Sequence, residues 1–419
     1  MRQDAEVIVV GGGPAGAASA FYLARAGVDV LVLDRARFPR DKPCGEYLSP
    51  QASRLLYDMG VLDAVERSGA AHLAGMRVYA PNGIEIHGEF AAAHGFHGFR
   101  DRGLALRRII LDALLLERAR AAGARVLEGS PVRDLVRDAG GRVTGVVAKN
   151  AGGAWHTHRA PLVIGADGLR SVVARRATLG RHGLWPRRLA LVTHFRGVEG
   201  MGDCGEMHVA SSGYLGLADV GQGLTNVALV VPSRRAPEMA GDAAGFLQRS
   251  LAGFPLVAQR LTNAEPATPV RAVGEFNWRA PRAWARGVAL VGDAADFFDP
   301  FTGEGIYTAL RGGELISAYA AAAVQARSTR DMDYALREYD RARRREFGGK
   351  WLVERAVGMA VAFPFLINRA ARALASQKEM ADLLVGVTGD FVPAAEVLRV
   401  GYVWRLLTSG IGHQRMRKD

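Results

Sequence analysis

The stretch EVIVVGGGPAGAASAFYLARAGVDVLVLDRAR, residues 6–37, constrains the fold more than any other part of the chain. It opens on a β-branched run, Val7 to Val10, breaks into glycines, and continues as an alanine-rich segment with Leu23 on its apolar side, which predicts strand, turn and helix. Gly11, Gly13 and Gly16 fit G-x-G-x-x-G. The first permits a tight turn, the second lets backbone approach a pyrophosphate, and the third lets the helix pack close to the sheet. Pro14 and Ala15 open the helix, whose N-terminus offers free N–H groups to phosphates. Gly27 ends it, and a second apolar run terminates in Asp34, followed by Arg35, where an acid can hydrogen-bond a ribose hydroxyl. A plain βαβ unit leaves the three glycines unexplained, so the segment predicts dinucleotide binding without separating FAD from NAD.

Two later segments repeat the arrangement. LVIGADGLRSVVARR is an apolar strand ending in Gly165, Ala166, Asp167 and Gly168, with Arg170 and Ser171 at a helix start. GVALVGDAADFFDPFTGEGIYTALRGGELIS is a buried strand ending in Gly292 and Asp293, then a loop with Asp299-Pro300 and Gly303-Glu304-Gly305, then a helix from Ile306. Each places a carboxylate at the C-terminal end of a parallel strand, where open α/β sheets bind ligands.

Together these motifs resemble the FAD-dependent enzymes that include p-hydroxybenzoate hydroxylase-type aromatic hydroxylases, geranylgeranyl reductases and flavin-dependent halogenases, over roughly residues 5–330. The resemblance implies one FAD: Gly11, Gly13, Gly16 and Asp34 at the ADP half, Asp293 at the ribityl chain, and the Gly303 to Gly305 turn beside the isoalloxazine. Arg108, four residues before Asp112, matches the family's R-x-x-x-D helix, although Arg107 is adjacent and one of the two is a surface charge. Asp167 and Arg170 carry the suggestion of contact with both FAD and NAD(P)H. With no second G-x-G-x-x-G, NAD(P)H is expected as a transient electron donor, unless an external reductase supplies electrons.

The FPRDKPCGEYLSP segment resembles the Cys-Gly pair that lies near the flavin in geranylgeranyl reductases and polyketide-modifying flavoproteins, implying that Cys44 and Gly45 adjoin the cofactor. Cys44 is read either as packing against the flavin or as a chemical group; Lys42 and Arg40 could depress its pKa. Residues 43–148 contain no lysine and no Trp-x-Trp occurs, which argues against halogenation, and Gly216 replaces the tryptophan of the reductases' YxWxFP-like motif. The remaining resemblance, to alkylresorcinol-type polyketide hydroxylases, implies a monooxygenase acting on a phenolic, lipophilic ring with NAD(P)H and molecular oxygen through a flavin C4a-hydroperoxide. A reductase of isoprenoid double bonds and a non-catalytic FAD-binding protein are the alternatives. Candidate catalytic groups are His194, Glu206, His208, Tyr214 and Cys44. Glu206 and His208, two apart in a strand, share a face, either as an oriented pair or as a solvent-exposed face.

The three motifs force a discontinuous FAD-binding domain: an α/β, Rossmann-like domain over 1–75, 100–185 and 280–330. An antiparallel β-sheet substrate domain covers 76–99 and 186–279, and a helical C-terminal region covers 331–419. In that last region Trp351, Met359, Phe363 and Phe365 stand at helical spacing and are expected in the core. An apolar helix pair there, with arginines at its ends, would also suit a lipophilic substrate and peripheral membrane contact.

Of the basic residues only five are lysine, at 42, 149, 350, 378 and 418, so the net charge of +12 is arginine scattered among acids, and no nucleic-acid partner is expected. The runs at Arg341, Arg343, Arg344 and Arg345 and at Arg415, Arg417 and Lys418 are read as solvated surface, or as phosphate or lipid-headgroup contacts. Two cysteines, Cys44 and Cys204, build no disulfide framework, and no metal-ligand spacing occurs; His87, His94 and His97 read as loop histidines. Too few residues precede Val7 for a secretory signal, and the longest uncharged stretch, Ala356 to Ile367, is too short to span a bilayer. The expectation is a cytoplasmic protein, either free or peripheral to the inner membrane surface, with no obligate protein partner.

Overall fold

The computed structural model describes residues 3–92, 94–150 and 152–408. The strands Val7–Val10, Val30–Leu33 and Leu162–Gly165 are apolar and buried at every position, the signature of a parallel sheet covered on both faces. They form the centre of a six-stranded sheet. From one edge its order is Trp284–Ala285, Val288–Leu290, Leu162–Gly165, Val7–Val10, Val30–Leu33 and Arg125–Leu127, with only the Trp284–Ala285 edge antiparallel. Helix Pro14–Arg25 packs against helix Gly305–Val324 at very short range. A Cβ added to Gly313 would lie 2.7 Å from the Ala18 Cβ and 2.9 Å from the Ala15 carbonyl oxygen.

A second, eight-stranded sheet is built from segments within 75–89 and 188–274. Its pairs are antiparallel except one: Cys204–Ala210 runs parallel to Gly75–Tyr79, the chain passing through the middle segment of the FAD-binding region between them. Helices within 233–260 cover one face of this sheet with Phe246, Leu251 and Val257; the other face turns toward the glycine-rich motifs. A small antiparallel sheet at 132–159, not anticipated from the sequence, lies inside the FAD-binding region.

The C-terminal region is helical from Thr329. Helix Thr329–Ala362 runs alongside Gly305–Val324 and is followed, across a 114° bend, by helix Pro364–Ser376. The bend corrects one expectation. Met359, Phe363 and Phe365 are 37%, 38% and 68% exposed, because Pro364 restarts the helix in a new direction and leaves them on its outside; Trp351 alone packs against the core. The arginine run also divides: Arg343 is buried, with its neighbours facing outward, and the 415–418 run lies outside the described residues.

Candidate functional site

The glycine turn is built as its spacing demands. Gly11 has φ +103°, and a Cβ on it would sit 2.5 Å from the Ala166 carbonyl oxygen; one on Gly16 would sit 1.8 Å from that of Gly11. Gly13 caps helix Pro14–Arg25 with no side chain, leaving the first-turn amides free. Asp34 braces this turn, its Oδ2 accepting from Gly12 N at 2.7 Å and its Oδ1 from Ala36 N at 2.7 Å. Arg35 is exposed beside it. Of the adjacent arginines it is Arg108 that is buried, held in a fork by Asp112 at 2.6 and 2.8 Å, with Arg40 on the same carboxylate at 2.9 Å.

A cavity of about 250 Å³ runs from Gly13, Pro14 and Ala15, past Gly292 and Asp293, to Pro300, Gly303, Glu304, Gly305 and Ile306. Gly303, at φ +75°, turns against the Tyr47 ring, and the following helix begins without a side-chain cap, so its amides face the cavity end. Lys42 lies 3.8 Å from Asp293; burial, then Arg108, pulls its pKa down. The two uncapped helix starts and the side-chain-free cradles at Gly13 and Gly303 suit a long anionic dinucleotide ending in a flat ring. The residues present therefore fit FAD.

Asp167 departs from expectation. Its carboxyl accepts from Ser171 Oγ at 2.5 Å and Val172 N at 2.6 Å, capping its own helix, while Ala166 and Gly168 backbone lines the cavity. Arg170 donates to the Gly274 carbonyl and ties this turn to the second sheet.

The cavity floor follows strand alternation. Ala190 and Val192, Ala228 and Val230, Tyr214 and Gly216, and Gly205 and Met207 face it. Glu206 and His208 alternate with Gly205 and Met207, so their side chains point to the other face. There Glu206 accepts from Arg260 at 2.6 Å and meets His208 Nε2 at 2.9 Å, and the His208 ring stacks on Tyr79. They form a pair, as one reading has it, but each is 4% exposed, so the solvent-face reading is overturned; Glu206 contributes to the cavity lining, but its carboxylate is engaged by Arg260 and His208. The reason is that this sheet is covered on both sides. His194 lies at the rim of the floor and is likewise committed, with Nε2 2.7 Å from Glu46 Oε2 and Nδ1 3.0 Å from Thr268 Oγ1.

Tyr214 is in place but engaged. Its hydroxyl donates to Asp299 at 2.6 Å, and Asp299 also accepts from Arg188 at 2.5 Å. Burial, then the charge of Asp299, pushes its pKa well above the usual phenol value.

Cys44 lines the cavity, half-buried, its carbonyl accepting from Asn226 Nδ2 at 2.8 Å. The sequence reading missed its neighbours. Glu46, at φ +62°, accepts from Arg108 N at 2.8 Å and from Asn226 at 3.0 Å while meeting His194, so one carboxyl joins three elements at the Cys44 turn. Tyr47 is buried in the lining with no hydrogen-bond partner for its hydroxyl, and burial, then Glu304, raises its pKa well above the usual phenol value. The adjacency of Glu46 and Tyr47 to Cys44-Gly45 was the available signal. From helix Thr329–Ala362, Lys350 and Glu354 also reach the lining. Burial, then nearby Glu304, raises the Glu354 carboxyl well above the usual range, and burial raises Glu304 to about 6 against the pull of Lys350.

Cys204 is buried 3.8 Å from His87 Nε2 and away from the cavity. Among the described residues no group of three or more His, Cys, Asp or Glu could hold a metal ion.

The FAD binding domain family matches residues 4–192. The chain is 31% identical over 398 residues to digeranylgeranylglycerophospholipid reductase 2 of Methanopyrus kandleri, spanning 92% of this chain and 93% of that protein. It is 27% identical to the menaquinone reductase of Mycolicibacterium smegmatis, over 99% and 98% of the two chains. Its fold is also that of the myxobacterial chondrochloren halogenase, with a TM-score of 0.76 at 24% identity over 84% and 82% of the chains.

Proposed function

Since the chain belongs to the FAD-dependent oxidoreductases that share this FAD-binding domain and include digeranylgeranylglycerophospholipid reductase, we propose that it reduces a carbon–carbon double bond in a lipophilic, isoprenoid substrate. The carrying observation is the cavity floor. Ala190, Val192, Ala228, Val230 and Met207 offer an apolar chain a dry surface, while His194, Glu206 and His208, the groups that could have activated a phenol, are engaged elsewhere. Two relatives similar along nearly their whole length are reductases by name, which supports the same reading.

FAD, held by the Gly11–Gly16 turn and the Gly303 cradle, would supply the hydride, with NAD(P)H as the proposed electron donor. The chain's own part is to exclude water over the apolar floor and to deliver the balancing proton. Cys44 and the partnerless Tyr47 hydroxyl both line the cavity and can donate to the second carbon of the double bond. Glu46 and Asn226 hold the Cys44 turn in place.

A second reading, hydroxylation of a phenolic ring with molecular oxygen, rests on Glu304, whose carboxyl at about 6 could accept a phenolic proton. The two separate in one experiment: the FAD-loaded enzyme with NAD(P)H, a digeranylgeranyl phospholipid, a menaquinone and long-chain phenols, under argon and under labelled oxygen. A product gaining two hydrogens equally in both atmospheres supports the reductase; labelled oxygen in the product overturns it in favour of hydroxylation.

A further inference from the structure

We propose that the C-terminal face of the molecule seats on an anionic lipid surface. The first observation is apolar surface that the fold does not consume. Helix Val400–Thr408 buries Tyr402, whose hydroxyl donates to the Met380 carbonyl at 2.8 Å, yet presents a second apolar stripe outward at i, i+3, i+4 and i+7: Val400, Val403, Trp404 and Leu407. Val400 is 84% and Trp404 66% exposed. This helix packs on Pro364–Ser376, whose start carries Phe363 and Phe365. Phe363 meets Trp185 at 5.5 Å between rings, and Leu184 beside it is 96% exposed. Large aromatics gathered from three separate segments onto one region mark an interaction face.

The second observation is charge. Residues 363–376 and 399–408 carry Arg369, Arg372, Arg399 and Arg405 and no acid, with Glu396 meeting Arg399 at the edge. A second copy of the chain would bring like charges together, whereas phosphate headgroups would complement arginines flanking the exposed tryptophan and phenylalanine. No single described helix is long and apolar enough to cross a membrane, and the pair Thr329–Ala362 and Pro364–Ser376, apolar enough only when taken together, is bent by 114°, a geometry that suits a face lying on the lipid rather than a straight span.

The test floats the full FAD-loaded chain with vesicles of phosphatidylcholine alone and of phosphatidylcholine with phosphatidylglycerol. The chain is expected to float with the anionic vesicles, more weakly in high salt, with a blue shift of tryptophan emission. The double variant Phe365→Ser, Trp404→Ser is expected to partition at least about tenfold less while keeping its flavin absorbance and melting temperature. Failure to float with either vesicle, or equal flotation of the variant, overturns the proposal. So does self-association of the parent chain that the variant abolishes, which would assign the face to a second copy. Because the readout is binding, it stands or falls apart from the reaction proposed above.

Discussion

At the scale of single residues, Glu46 concentrates the most consequence in one side chain. It occupies left-handed backbone at φ +62° and joins Arg108, His194 and Asn226, so replacing it removes a buried partner and leaves the strain. Glu46→Ala is expected to destabilise by about 3 kcal/mol, and Glu46→Gly by about 1 kcal/mol less, since glycine accepts that backbone freely; urea unfolding of both variants checks the order. Cys44→Ala tests the proposed proton delivery: turnover should fall by about tenfold or more with flavin absorbance retained. Glu304 gives a pH signature in the apoprotein. Its folded pKa of about 6 lies above the usual carboxyl value, so the folded state holds the proton more tightly and stability falls as pH rises through that interval. Glu304→Gln should therefore match the parent near pH 4.5 and exceed it by about 2 kcal/mol above pH 6; equal pH profiles would show that Glu304 does not titrate this way.

At the scale of elements, the contact between helices Pro14–Arg25 and Gly305–Val324 couples the two ends of the cofactor site. Gly313→Ala would drive a methyl into the Ala15 and Ala18 backbone turn, costing about 1 to 3 kcal/mol and weakening FAD affinity; flavin fluorescence titration reads the second effect. The same scale shows what could be read beforehand. Gly11 and Gly303 were legible because their turns exclude a Cβ, which restricts the residue to glycine. The facing of Cys204–Ala210 was not. Both faces of that strand are buried, one beneath helices and one beneath the cofactor motifs, so alternation along Cys204-Gly205-Glu206-Met207-His208 identifies two faces without saying which meets the cavity. Similarly, helical spacing at Met359 and Phe365 is the same whether the helix is covered or turned outward, and only the bend at Pro364 decides.

At the scale of the whole molecule, the links that fasten the substrate-side sheet to the cofactor-binding region include His194 to Glu46, Gly274 to Arg170, and, third, Arg188 to Asp299. The third is a deeply buried ion pair, and Arg188→Met would leave Asp299 without its cation, for an expected loss of about 3 to 5 kcal/mol. Thermal unfolding followed by flavin release and by far-ultraviolet circular dichroism should give one coincident transition in the parent chain; two separated transitions would show that the regions melt independently. Helix Thr329–Ala362 joins cavity to periphery. Glu354, in the cavity lining, stands eight residues before Ala362 at the bend, about 12 Å of helix. On the proposed lipid seating and isoprenoid substrate, the helix would set a minimum reach: with its bent end at the headgroups, only a prenyl tail longer than this span could enter the cavity while its remainder stayed among the acyl chains.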